Sequence, residues 1–460
     1  MCIIHFKMLT SLVLGIALSA VVLVNNANAD SNEAAKAQAK LAVEQYVANH
    51  KPYSMVLSPE GEFIAVFNAR VEPWVKAPLN SASAKTIQAV LAPYLSIGLN
   101  PRGFAPAATR AEEGEKDDTN YDAIWVRDNI WVYYALKAKT VREGDAKTLL
   151  LAMWDYYATA PQQQRFDQII AQPELAEDAM NLPHIRFDGA SEELRDVYEN
   201  GKPQVWAHGQ IDAHGLFFTA LGEALHEGFL SGSELTEQRL AVLLKYPLFL
   251  NKINFTEFED AGAWEEISRK NSSSIGLATR SLQVWQGLLY DSSSPVKKLL
   301  RTALADAPKE LKKSWSKKAL RQAIDAGLST VRSQLQLGGE SPDYSAEDVH
   351  YRRADAALLH LLTPSPLQGL TLAEKRQIML YVETLKRPFG VLRYVNDSYQ
   401  GGNYWIRPPA ANGPALTGDT SSREAFMWRL SQLEANTEAQ WFFDSLIALA
   451  WLHIAEVGND

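Results

Sequence analysis

The chain has 460 residues, 47% of them apolar and 22% charged, with a formal net charge of −9. Such a composition belongs to a globular protein and excludes a disordered one. The acidic balance argues against a nucleic-acid partner, which would call for basic clusters, and suits a neutral substrate.

In chain order, His5 and Lys7 precede an apolar run over residues 9–24, and Ala27-Asn28-Ala29 offers a small-x-small cleavage site ahead of Asp30. Asn25 and Asn26 end the run, which leaves it short for a membrane span. Residues 1–29 read as an export signal and residues 30–460 as a single domain. The expected location is periplasmic or extracellular, with no stable membrane anchor after cleavage. The only cysteine, Cys2, lies within the signal and does not follow a lipoprotein-type leader. Disulfides, zinc–thiolate sites and a cysteine nucleophile are therefore excluded from the mature region.

The mature region reads as mostly helical. Residues 34–50 are rich in Ala, Lys and Gln and predict a leading helix. Phe63, Ala65 and Phe67 alternate, so a strand pair is expected over residues 62–71. Helical spacing recurs in Ile130, Trp131, Tyr134, Ala135 and Ala138, and again in Leu216, Ala220, Leu221, Ala224 and Leu225. Ile275, Ala278, Leu282, Trp285 and Leu289 form a third stripe, Leu320, Ile324 and Leu328 a fourth, and residues 356–362 a fifth. Residues 441–454 are apolar nearly all round, the pattern of a helix buried on most sides. Breakers separate these runs at 109–120, 338–343, 363–369 and 400–418, none long enough for an inter-domain linker.

Five segments carry residues suited to carbohydrate chemistry. Trp264-Glu265-Glu266 sets an indole beside two carboxylates. Acetal hydrolysis needs one protonated and one ionised carboxyl, and an apolar neighbour raises the acid's pKa by desolvation. Trp125-Val126-Arg127-Asp128 places a cation and a carboxylate at a helix start, where they can clamp sugar hydroxyls or simply form a cap and ion pair. Trp206, Gln210 and Asp212 combine a stacking ring, an amide and a carboxylate. His208 and His214 lack a clear third ligand, so no metal is expected. Residues 393–405, with Arg393, Tyr394, Tyr399, Gly402, Asn403 and Trp405, read as a loop that lets backbone approach a ligand. Glu438, ahead of Trp441, offers a second carboxylate. Asp128, Asp212, Glu265 and Glu438 each lie just ahead of an apolar helix; if those helices form a ring, their N-terminal loops meet in one pocket. Phosphate loops, dinucleotide fingerprints and nucleophile elbows are not found, and no cofactor is expected.

The ordered set resembles glycoside hydrolase family 15, the glucoamylases, together with the related alpha and beta chains of phosphorylase kinase. Leu182-Pro183-His184-Ile185-Arg186-Phe187-Asp188 adds to the likeness, which spans residues 120–455. The resemblance implies an all-α (α/α)6 barrel and inverting exo-hydrolysis of α-glucans or malto-oligosaccharides, releasing glucose from non-reducing ends. It implies Glu265 as general acid, Glu266 as a contact at the leaving-group sugar, Arg127 and Asp128 on the terminal glucose, Trp206 along the sugar sites and Arg393 on the released glucose. The general base falls on Glu438, with Glu434 as the alternative. An α-1,6-glucan or disaccharide (trehalose-type) glucosidase, and a glucan-binding regulatory protein without turnover, stand as the other readings.

Overall fold

The computed structural model describes residues 53–57, 63–66, 69–70, 72–76, 80–91, 97–107, 122–199, 201–291, 293–346, 348, 350–387, 390–395, 397 and 440–457. The export signal, the expected leading helix, Tyr399, Trp405, Glu434 and Glu438 lie outside these residues. The chain forms two compact units, residues 1–97 with 396–439, and residues 98–395 with 440–460.

In the first unit, β1 (Ser54–Leu57) pairs antiparallel with β2 (Phe63–Val66), Ser54 opposite Val66. The strand pair expected within 62–71 is corrected: among the described residues that range holds one strand, β2, whose partner β1 lies ahead of it. The chain after it turns into a short helix, α1 (Glu72–Lys76), which packs on β1, followed by α2 (Ser81–Leu91).

Among the described residues the second unit is all-α apart from two-residue ladders and isolated bridges, among them β3 (Ile124–Trp125) with β4 (Arg186–Phe187). Its helices are α3 (Val126–Lys137), α4 (Glu143–Ala158), α5 (Ala160–Ala171), α6 (Ile211–His226), α7 (Glu237–Lys252), α8 (Ser272–Gln286), α9 (Val296–Asp306), α10 (Lys309–Ser314), α11 (Lys317–Leu337), α12 (Leu372–Glu383) and α13 (Asp444–Val457). They pack in two rows. In the inner row α3 meets α6, α6 meets α8, α8 meets a 3-10 helix at Ala356–Leu361, and that turn meets α13. In the outer row α4 meets α7, α7 meets α10, α10 meets α11, and α11 meets α12. The chain alternates between the rows, inner then outer.

Burial marks the division most clearly at α6 and α8. Every residue of α6 except Glu223 and His226 is buried, and α8 is nearly as enclosed. By contrast α11 buries one stripe, Leu320, Ile324, Gly327, Val331 and Leu335, and turns its charged face outward. Glycine sets the closest approach in the inner row. A Cβ on Gly215 of α6 would stand 2.6 Å from the Leu277 carbonyl carbon and 2.7 Å from the Ala278 nitrogen in α8. Backbone atoms cannot rotate away as a side chain can, so no residue with a Cβ fits without separating the two helices.

Two further expectations need correction. Residues 356–362 form a 3-10 helix over Ala356–Leu361 rather than an α-helix. Asp355 caps it through the Ala357 N–H, and Pro364 and Pro366 follow at once, which leaves room only for the tighter, shorter winding. The helix in 441–454 begins at Asp444 and is buried on one side only. Ile447, Ala450 and Ile454 face its neighbours, whereas Leu449, Trp451 and Leu452 are exposed among the described residues. Among those residues, no helix is long and apolar enough to cross a membrane.

Gly215→Ala should lower unfolding free energy by ~1–3 kcal/mol through forced separation of α6 and α8. Gly287→Ala, where a Cβ meets nothing within 4 Å, should be neutral or slightly stabilising. Urea denaturation of the two variants beside the parent checks both.

Candidate active site

The site is assembled by the short structures that precede the inner helices. Trp125 pairs across the β3–β4 ladder with Arg186 and then serves as N-cap of α3, in extended conformation and without a side-chain cap bond. Asp128 is therefore not the cap; it lies exposed in the first turn of α3. The guanidinium of Arg186 stands 4.7 Å from the Trp125 ring centroid and 4.0 Å from that of Trp206. Those two indoles meet edge to face at 5.9 Å. Cation and ring packing of this kind fixes the indole planes.

Glu265 is where the two indoles point. Trp206 Nε1 donates to Glu265 Oε2 at 2.9 Å and Trp125 Nε1 donates to the same oxygen at 3.3 Å. Arg127 Nη1 lies 3.5 Å from Glu265 Oε1. The loop carrying Glu265 is closed by a bridge between Asp260 and Arg269 and contains a 3-10 turn over Gly262–Trp264. Glu265 itself is left-handed, at φ 59° and ψ 42°. A glutamate there costs ~1 kcal/mol or more and persists only where its surroundings dictate it. The consequence is that two adjacent carboxylates meet separate sets of partners.

Glu266 is buried. Arg393 Nη2 approaches its Oε1 at 3.0 Å, Arg352 Nη2 its Oε2 at 3.5 Å, and Arg269 Nη1 the same oxygen at 3.8 Å, while the Tyr394 hydroxyl donates to Oε1. Burial works to raise the Glu266 carboxyl, but Arg393, Arg352, Arg269 and the Tyr394 hydroxyl outweigh it and hold the group below its ordinary value. Trp264 turns the same way: its Nε1 donates to Asp355 Oδ1 at 2.8 Å, and its ring lies 5.3 Å from the Arg393 guanidinium and 5.7 Å from the Phe443 ring. Trp264, expected to desolvate Glu265, spends its polar edge on Asp355.

Behind Glu265 stands a buried cation. Arg127 Nε donates to Asp212 Oδ2 at 2.6 Å and Nη2 to Oδ1 at 3.2 Å; Nη2 also reaches the Gly262 carbonyl at 3.0 Å and the Gln210 side-chain oxygen. Gln210 Nε2 in turn donates to the Ala207 carbonyl at 2.6 Å. Burial pushes the Asp212 carboxyl up, and Arg127 more than reverses it, with smaller help from His360 and the Ala213 N–H. Asp212 has no exposed surface and Gln210 almost none. Glu266 and Arg393 are likewise buried.

His208 stacks on His184 at 3.5 Å, and His214 Nδ1 bonds the Tyr157 hydroxyl at 2.9 Å. Among the described residues, no group of three or more His, Cys, Asp or Glu side chains is arranged to hold a metal ion. The last described segment joins the site through an antiparallel bridge, in which Val391 and Trp441 exchange two backbone bonds of 2.8 Å. The structure thus brings Trp125, Arg127, Trp206, Gln210, Asp212, Trp264, Glu265, Glu266 and Arg393 together.

Several residues of the site were not singled out from the sequence. Arg186 lies within a segment that was, but only its place in the β3–β4 ladder reveals its part. Asp355 precedes an apolar run just as Asp128 and Asp212 do, and the same pattern would have found it. Arg269 and Arg352 give no periodic signal. Two further carboxylates cap inner helices from other segments. Asp260 Oδ2 accepts from the Ile211 N–H at 2.8 Å at the start of α6, and Glu340 accepts from the Ser273 N–H at 3.2 Å in the first turn of α8. Burial, aided by Asp212, raises Asp260 to about 7; burial, aided by Asp355, raises Glu340 to about 8.

No family model matches the chain. It is 36% identical over 162 residues to the uncharacterized lipoprotein YgeQ of Escherichia coli (strain K12), a stretch covering 34% of this chain and 61% of YgeQ. The chain thus spans about three fifths of the length of that relative. It is 42% identical over 101 residues to the putative protein YgeP of the same organism, covering 22% of this chain and 99% of YgeP. The chain belongs to one family with YgeP. Among solved structures, a wild-type glycosidase aligns with a TM-score of 0.46 and 15% identity, covering 82% of this chain and 98% of the solved chain. A glycosidase variant in complex with glucose aligns with a TM-score of 0.47 at the same identity, covering 82% of this chain and 99% of the solved one.

The buried charges set two expectations. Arg127→Met strands Asp212 without its cation and should cost ~3–5 kcal/mol of stability, part of which Arg127→Met/Asp212→Leu restores; a double-mutant cycle in denaturant measures it. Asp260 and Glu340 bind protons more tightly folded than unfolded, where a carboxyl titrates near ~4. Their contribution is complete below that pH and is lost as pH rises through about 7 and about 8. The melting temperature should fall across that window, and Glu340→Gln should flatten the upper part of the slope.

Proposed function

We propose that the chain is an inverting, exo-acting glycosidase of the glucoamylase type, releasing glucose from the non-reducing ends of α-glucans or malto-oligosaccharides. The observation that supports it is the convergence on one partly buried carboxyl, Glu265, of two indole N–H groups and a buried arginine. Sugar recognition needs flat apolar walls with fixed polar donors, and acetal cleavage needs a carboxyl held at the leaving oxygen.

In this reading Glu265 is the general acid. Its Oε2 is occupied by the two indoles, whereas among the described residues Oε1 meets only the 3.5 Å contact to Arg127. Oε1 is accordingly the oxygen that carries and delivers the proton. Trp125 and Trp206 flank the sugar and keep water from the leaving group. Asp128, exposed beside Arg127, takes the outer hydroxyls of the terminal glucose, which makes the action exo. Gln210, Asp212, Glu266 and Arg393 are positioning residues that fix Arg127 and the Glu265 loop. Glu438 deprotonates the attacking water, with Glu434 as the alternative base; inversion requires the two carboxyls to stand ~6.5–9.5 Å apart. Tyr399 and Trp405 are the remaining proposed sugar contacts, carried by the resemblance alone. The leader at residues 1–29 and the description of YgeQ as a lipoprotein support an exported, membrane-side location.

Glu265→Gln and Glu438→Gln should each lower turnover of maltotriose by ~10²–10⁴-fold. NMR of the released sugar should show the β anomer first. Undiminished hydrolysis in both variants would remove the assignment. Maltotriose binding without glucose release by the parent would favour a regulatory glucan-binding protein, and release only from isomaltotriose or trehalose would move the linkage.

A further inference from the structure

The chain is acidic, yet residues 296–321 contain nine Lys and Arg against two acidic residues, a net charge of +7, which leaves −16 on the remainder. These residues span α9, α10 and the start of α11, consecutive helices packed against one another in the outer layer. No residue of the candidate active site lies on them. Lys298, Arg301, Lys309, Lys312, Lys313, Lys317, Lys318 and Arg321 are exposed. Lys317 and Arg321 face Asp291 and Asp325 at 3.6 and 3.7 Å. Lys298, Lys309, Lys312, Lys313 and Lys318 have no ion pair or side-chain hydrogen bond among the described residues. A surface shaped only for solubility would intersperse both signs.

The geometry points to a docking surface for a bilayer that contains anionic phospholipid. A groove of about 590 Å³ beside α9 is lined by Lys297, Lys298 and Arg301, with the hydroxyl residues Ser293, Ser294 and Thr302 and the carboxylate of Asp306. Three cations and three hydroxyl residues fit a phosphate headgroup, and they outweigh the one acid. Leu299, 45% exposed, stands between Lys298 and Arg301 in sequence and supplies an apolar side chain to the headgroup boundary. The acidic remainder sharpens the orientation. An anionic surface repels the rest of the molecule and attracts this face, so the protein meets the membrane with α9–α11 toward it. Each cation near such a surface is worth about five-fold in partitioning, weakened by salt within a Debye length. This surface is independent of the proposed glycosidase chemistry.

The test is co-sedimentation of the purified full-length protein with phosphatidylcholine vesicles, with and without about one third phosphatidylglycerol, at low and high salt. The expected result is binding only to the anionic vesicles, reversed by salt. Lys298→Glu/Lys309→Glu/Lys312→Glu/Lys313→Glu/Lys318→Glu should weaken it by at least ~100-fold while far-UV circular dichroism and any glucose release stay unchanged. Equal sedimentation with pure phosphatidylcholine would overturn the proposal. So would undiminished binding by the five-fold variant, or tighter binding to soluble duplex DNA or heparin than to anionic vesicles at the same salt.

Discussion

The buried pair of Arg127 and Asp212 is the constraint on which the rest of the site depends. Taking two charges out of water is expensive, and their attraction repays it only when the remaining donors are also satisfied. Arg127 meets that condition through partners from separate segments: Gln210 and Asp212 before and within α6, the Gly262 carbonyl in the loop ahead of α8, and Glu265 just past that loop's 3-10 turn. The start of α3, helix α6 and the loop ahead of α8 are therefore locked in register by one guanidinium. A lysine could not do this, because a single ammonium lacks the planar fork that meets a carboxylate edge-on and a carbonyl at once.

That lock gives the strained residue its meaning. A left-handed glutamate would relax if the loop were free to turn. Here the Asp260–Arg269 bridge holds both ends, and Arg127 grips Gly262 in the middle. The chain passes from Glu265 to Glu266 with one carboxyl delivered to the indoles and the other to the arginine cluster. Two carboxylates adjacent in sequence thereby acquire different environments, one partly exposed between two indole N–H donors and the edge of Arg127, and one buried among three cations. Adjacent acids held by separate sets of partners can take different roles in a site.

Much of this was legible in the sequence, and the physical reason is clear for what was not. The stripes in α3, α6, α8 and α11 announce themselves because each buries a face of fixed period. The order Trp-Val-Arg-Asp, Trp-x-x-x-Gln-x-Asp and Trp-Glu-Glu marked the right segments. Roles were harder. The burial of Asp212 and Glu266 was hidden because sequence records residue type but not which side chain is enclosed. Arg186 was hidden because its function depends on a cross-strand neighbour 61 positions away. The turn at Ala356–Leu361 read as a longer helix because apolar periodicity cannot sense how close two prolines lie. The outward apolar face of α13 went unseen for a related reason: a run that is apolar all round does not say how many sides have neighbours.

The buried acids also show how the inner row manages its own ends. An α-helix leaves its first N–H groups unpaired, and at an enclosed N-terminus water cannot satisfy them. Neither α6 nor α8 carries a capping side chain of its own at the residue before it. Asp260 and Glu340 supply the acceptors from neighbouring segments instead, each at the cost of sitting in a dry site that favours its protonated form. Helix starts that borrow their caps cannot shift independently of the loops that lend them. Residues 260 and 266 belong to the same loop, so the group that caps the start of α6 and the groups that flank Glu265 move as one piece. Precision at the candidate site is in this sense a by-product of satisfying backbone N–H groups where there is no water.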